Sequence, residues 1–116
     1  MPEKRFHDEF KALMNRFVHQ IYKVTKLFPK DELYGVTFQL RRSSLSVILN
    51  YIEGYARRNP KVDKNFLKIS YASLKEAEYL IQFSFEEGYL IKENCQMLTK
   101  QVDSIGAMLW GTISKI

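Results

Sequence analysis

The sequence is short of punctuation: 116 residues contain three prolines, five glycines and one cysteine. A lone cysteine excludes an internal disulfide, and a reducing cytoplasm is the expected setting. No apolar run approaches the ~20 residues needed to cross a bilayer. The N-terminal MPEKRFHDEF lacks the continuous apolar segment of a secretory signal, so neither secretion nor membrane insertion is expected. Repeats, low-complexity stretches and linkers are also lacking, which makes residues 1–116 a single domain. Catalytic signatures are missing too. There is no Gly-rich phosphate loop and no HExxH. His7 and His19 stand twelve residues apart without a third ligand in metal-like spacing and read as surface or capping histidines. Cys95 stands at the start of the fourth helix beside Glu93, with no acid or base partner that would activate it, and reads as a plain free cysteine. Glu53 and Glu76 imitate a general acid/base pair, but structural ion pairing explains them with fewer assumptions. No enzyme activity, cofactor or metal is expected.

What remains is helical. No run sustains strand alternation, and Phe28-Pro29, Asn59-Pro60 and Gly88 divide the chain evenly. Helices are predicted over about 6–27, 30–58, 63–87 and 92–114. In the first, Phe6, Phe10, Leu13, Phe17, Ile21 and Val24 form one apolar face. Asp63 is a plausible N-cap for the third and Gly88 its C′ glycine. In the fourth, Leu98, Val102, Ile105, Leu109 and Ile113 form the face. Long helices with short connections give an all-α, antiparallel up-down-up-down four-helix bundle.

Two helices carry more apolar surface than a bundle core absorbs. On the third, Phe66, Ala77, Leu80 and Ser84 form the expected core stripe, with Leu67, Leu74, Ile81 and Phe85 on one flank and Ile69, Ala72, Tyr79 and Phe83 on the other. On the second, Phe38, Leu45, Leu49 and Ile52 lie off the main stripe. Exposed apolar patches beyond a few hundred Å² mark contact sites, so a homo-oligomer is expected. The alternative is that long flanking side chains fold over the excess. The second helix also carries a polar stripe of Gln39, Arg42, Ser46, Asn50, Glu53 and Arg57, while Arg41 falls among Tyr34, Leu45, Ile48 and Ile52. Glu76 is similarly stranded on the third helix. Pairing Arg41 with Glu76, within or between subunits, would neutralise both. Arg42, Asn50, Glu53 and Arg57 either interlock across a symmetric contact or form a solvated stripe of i,i+4 pairs.

The formal charge is +5. Arg16, His19, Lys23, Lys26 and Lys30 share one face of a segment with no acid between Phe10 and Lys30. Arg57, Arg58, Lys61, Lys64 and Lys68 surround the turn between the second and third helices, opposed only by Asp63. Phosphate binding needs such clusters and no base-reading motif. Cations near a helix C-terminus also offset its dipole, so the clusters have a purely structural reading as well.

The ordered set Phe-Pro, Tyr-Gly, Gln-Leu-Arg-Arg, Asn-x-x-Glu-Gly and Ser-Leu-Lys-Glu occurs in FPKDELYGVTFQLRRSSLSVILNYIEGYARR and NFLKISYASLKEAEYLI. With EEGYL after it, this pattern resembles the four helix bundle family of 23S rRNA intervening-sequence proteins. Relatives of that family include the accessory variability determinant of diversity-generating retroelements. The resemblance covers about residues 6–114. It implies a left-handed bundle assembling as a homopentameric ring with a basic surface suited to DNA or RNA. The family's Arg-Arg pair falls on Arg41 and Arg42, its Asn, Glu and Gly on Asn50, Glu53 and Gly54, and its third-helix glutamate on Glu76. Ser43 and Ser44 stand where alanines are common, and Tyr51-Ile52 where Ile-Ala is common. Two functions stay open. One is a nucleic-acid-binding accessory protein, and the other a structural oligomer holding a protein partner such as a reverse transcriptase.

Overall fold

The computed structural model describes the backbone of residues 2–57 and 60–115 and the side chains of residues 5–56 and 64–115. Four helices form: α1 (Pro2–Thr25), α2 (Val36–Arg57), α3 (Pro60–Glu86) and α4 (Lys92–Ser114). Among the described residues there is no strand, and no helix is long and apolar enough to cross a membrane. The body measures 42 × 24 × 19 Å. Helices of this length, rising about 1.5 Å per residue, must lie along its long axis. Short connections then make successive helices antiparallel. Each helix packs on two neighbours, α1 on α2 and α4, and α3 on α2 and α4, giving a square four-helix bundle.

The core follows the inward stripes. Phe10, Met14, Phe17 and Ile21 of α1 are fully buried, as are Leu98, Ile105 and Leu109 of α4. Each such side chain contributes roughly 1.5–3 kcal/mol by leaving water. The α4 face is the expected one, extended by a turn to Cys95. On α1, Phe6 is exposed and Met14 takes the central place.

The α3 face is rotated from the expected one. Leu67, Ser70, Leu74, Ala77, Ile81 and Ser84 point inward, whereas Phe66 and Leu80 are half-buried. The repeat of three and four residues is kept, but on a helix apolar nearly all round it does not select a side. The small residues decide. Ser43 and Ser44 of α2 and Ser70 and Ala77 of α3 are fully buried and let the two helices approach closely. Buried hydroxyls need acceptors. Ser70 donates to the carbonyl of Val47 across the contact at 2.6 Å, and Ser43 donates to the Leu40 carbonyl at 3.2 Å.

The expected helix over 30–58 is broken. Pro29, with φ −55° and ψ 142°, starts a single 3₁₀ turn, Lys30–Glu32, and α geometry resumes only at Val36. The Val36 N–H donates to the Glu32 carboxylate at 3.3 Å, which satisfies one of the donors left open in a first helical turn. Gly35 makes room for that carboxylate, because a Cβ there would lie 2.4 Å from Glu32 Oε1. At the same end of the bundle, Tyr89 O–H donates to the other Glu32 oxygen at 2.9 Å. α3 begins at Pro60, before Asp63, since the first position of a helix has no use for the N–H that proline lacks. It ends in a Schellman motif: Tyr89 N–H reaches the Ser84 carbonyl at 2.8 Å, Gly88 N–H reaches Phe85, and Gly88 adopts φ +79°.

Candidate nucleic-acid interface

Burying Phe17, Ile21, Val24 and Phe28 turns the opposite side of α1 outward. Arg16, His19 and Lys23 are exposed there, and Lys26 and Lys30 are exposed beyond the helix end, Lys30 on the 3₁₀ turn. Helical spacing keeps Arg16, His19 and Lys23 on one face, and no carboxylate interrupts the chain from Arg16 to Lys30. Such a stretch presents rotatable cationic donors to a phosphate chain without a base-reading geometry. Of the second cluster, Lys68 is exposed and Lys64 half-buried on α3. The side chains of Arg57, Arg58 and Lys61 lie outside the described residues.

Arg41 and Arg42 diverge. Arg42 pairs with Glu76 of α3, and both side chains remain 45% exposed. Its Nε also donates to Gln39 at 3.1 Å. Arg41 faces α1 instead, where its Nε donates to Thr25 Oγ1 at 2.9 Å and its guanidinium sits 4.7 Å from the centre of the Tyr22 ring. Thr25 passes the bond on to the Ile21 carbonyl at 2.7 Å. Within the chain, therefore, the partner of Glu76 is Arg42 and not Arg41. Neighbours on a helix point about 100° apart, and only Arg42 is turned toward α3.

The polar stripe of α2 continues along this edge. Ser46 and Ser73 share a hydrogen bond at 2.7 Å, and Asn50 donates to the Ser46 carbonyl at 2.9 Å. Four positions of the stripe, Gln39, Arg42, Ser46 and Asn50, are thus already committed within the chain, and Glu53 beside them is half-buried. Around this seam the outer face of α2 and α3 is apolar. Leu49 is 58% and Tyr79 67% exposed, and Ile69 is exposed with them; Ile52 is also exposed, on the side of α2 turned toward Asp8, Lys11 and Asn15 of α1.

Sequence reasoning missed two features. One is a groove of about 470 Å³ between α1, the 3₁₀ turn and the first half of α2, lined by Tyr22, Leu33, Tyr34, Phe38, Arg41 and Arg42 among others. The run from Leu33 to Arg42 carried the signal, but the α1 wall is a tertiary fact. The other is an aromatic cluster that joins the first half of α1 to the end of α2. His7 is not a surface residue: it is half-buried, hydrogen-bonded through Nδ1 to the Tyr51 hydroxyl and packed on the Tyr55 ring. Burial, reinforced by nearby Tyr55, pushes the Tyr51 hydroxyl well above the usual tyrosine pKa.

The Cys95 thiol is buried in the core. Among the described residues no group of three His, Cys, Asp or Glu side chains is placed to hold a metal ion.

The fold has a solved counterpart. A crystal structure of a protein with unknown function from the S23 ribosomal protein family of Bacteroides thetaiotaomicron superposes with a TM-score of 0.85. The likeness covers 92% of this chain and 96% of that one at 19% sequence identity, so it shows the fold alone. A comparison with curated proteins found no match. Residues 9–111, nearly the whole bundle, match a family described as 23S rRNA-intervening sequence protein, and the chain belongs to that family.

Proposed function

We propose that the protein is a non-enzymatic, homo-oligomeric accessory factor of the cytoplasm that binds DNA or RNA largely without sequence specificity. One observation carries the reading: five exposed basic or imidazole side chains, from Arg16 to Lys30, follow one another on a stretch of chain free of carboxylates, the first three on one face of α1. Each phosphate neutralised along that stretch releases a counterion, so binding is strong in dilute salt and fades steeply as salt rises. Oligomerisation multiplies the effect. The apolar outer face around Leu49, Ile69 and Tyr79 supports self-association. A pentamer is the state that the family resemblance favours. Repeating the basic stretch on every subunit converts weak contacts into avidity.

A second reading rests on the same apolar face. It could receive a protein partner, such as a reverse transcriptase, and make the protein a scaffold. Two measurements decide. Light scattering at micromolar concentration is expected to give about five times the monomer mass, and Leu49→Arg to lower it; a monomeric wild type rejects the oligomer. Random-sequence DNA and RNA are expected to bind at ~50 mM salt and to release by ~200 mM. Charge reversal at Arg16, Lys23 and Lys26 should weaken that binding without changing the mass. The matching reversal at Arg57, Arg58, Lys61 and Lys64 tests the second cluster. Binding that is absent at low salt, or that survives both reversals, leaves the scaffold reading in its place.

A further inference from the structure

The groove beside the basic stretch is built unlike an ordinary surface. Two arginines line it and no carboxylate does. Tyr34 at its rim is 90% exposed and Phe38 is 51% exposed, although an aromatic ring gains more from burial than most side chains. The Arg41 guanidinium is held at the groove wall by its bond to Thr25 and by the Tyr22 ring. Arg42 is held by Glu76. Lys23 follows Tyr22 directly on α1, Lys26 stands just past the helix end, both exposed, and Lys30 of the 3₁₀ turn precedes Leu33 and Tyr34. The opposing charges on that turn are Asp31 and Glu32, and Glu32 is engaged by Val36 and Tyr89.

Rings, a planar guanidinium and flanking lysines are the elements with which proteins hold unpaired bases: the base stacks while its phosphates lie along the cations. A double helix hides its base faces and cannot use such a groove. A second copy of this chain is a poorer occupant, because a symmetric contact would bring arginines and lysines against their own counterparts. We propose that this groove is a stacking site for an unpaired nucleobase, which makes single-stranded nucleic acid the preferred ligand. The inference rests on the phosphate-binding reading above and adds to it a selectivity for single strands. Base face and phosphate are common to DNA and RNA, so both single strands fit.

The test compares four labelled probes of equal length by fluorescence anisotropy at low salt: oligothymidylate, oligouridylate, an abasic oligomer and a duplex. The full-length protein is expected to bind both single strands roughly tenfold tighter than the abasic oligomer, the effect of about one stacked base. Tyr34→Ala and Phe38→Ala should remove that preference and leave abasic and duplex binding unchanged. Tyr34→Phe, which keeps the ring, should retain it. Tyr34 is too exposed for its truncation to threaten the fold. Equal binding of all four probes overturns the groove proposal while the phosphate reading stands. Absence of binding to every probe overturns both. A fall in oligomer mass on Phe38→Ala assigns the groove to a second copy and likewise overturns the proposal.

Discussion

Arg41 and Arg42 are consecutive residues that tie α2 to its two opposite neighbours. Arg42 reaches Glu76 on α3, and Arg41 reaches Thr25 and Tyr22 on α1. The two ties differ in kind. The Arg42–Glu76 pair is half in water, where Coulomb attraction is screened and holding two long side chains costs entropy. Arg41 is partly shielded, and its planar group is fixed both by a hydrogen bond and by a ring.

Truncating the two should therefore cost differently. Double-mutant cycles on Arg42→Ala and Glu76→Ala, read from urea unfolding, are expected to give a coupling below about 1 kcal/mol. Arg41→Ala should cost about 1–2 kcal/mol, from the lost hydrogen bond and cation–π contact. Arg41→Lys should recover little of it, since an ammonium does not reproduce the planar contact. Equal costs at the two arginines would show that α1 and α3 hold α2 alike.

Two glycines should resist substitution for separate reasons. Gly35→Ala drives the Glu32 carboxylate off the first turn of α2, a loss of about 1 kcal/mol by analogy with other caps. Gly88 has open space around it but φ +79°, so alanine there meets backbone strain alone, about 1 kcal/mol. Asn, which tolerates this conformation, should be milder than Ala at 88 and no better at 35. Thermal unfolding of the four variants checks the pattern.

Tyr51 predicts the alkaline limit of stability. In the unfolded chain it ionises near its ordinary value of 10.0, whereas in the fold burial and Tyr55 keep its proton on. The unfolded state thus binds fewer protons above that pH. The stability contribution is fully present below about pH 10 and declines above it, approaching about 1.4 kcal/mol per pH unit. Tyr89, raised chiefly by its bond to the Glu32 carboxylate, adds in the same direction. Tyr51→Phe should flatten the alkaline slope of urea-unfolding free energies without abolishing it. An unchanged slope would refute the assignment.

The fold was largely legible because its signals are local. The α4 residues from Leu98 to Ile113 have no competing apolar face, so spacing alone identified their side, and Gly88 announced its turn. On α3 the same logic chose Phe66 and Leu80 over Leu67, Leu74 and Ile81, since a helix apolar on every side carries no contrast. Arg41 was legible as a charge among apolar residues, but its partners Tyr22 and Thr25 sit on another helix at no recognisable spacing. The basic stretch from Arg16 was read directly. The groove was not, because Tyr22 of α1 closes a wall otherwise built from α2 and the connection before it.

The carboxylate of Glu32 accepts from Val36 at the entry to α2 and from Tyr89 just past the end of α3. One side chain thereby closes two connections that are 57 residues apart in sequence. Opening either connection gives up the Tyr89 hydrogen bond and the contact between the Phe28 and Tyr89 rings, so the two chain reversals are coupled through Tyr89. Their amide protons should exchange together, and a cut in one connection would loosen the other.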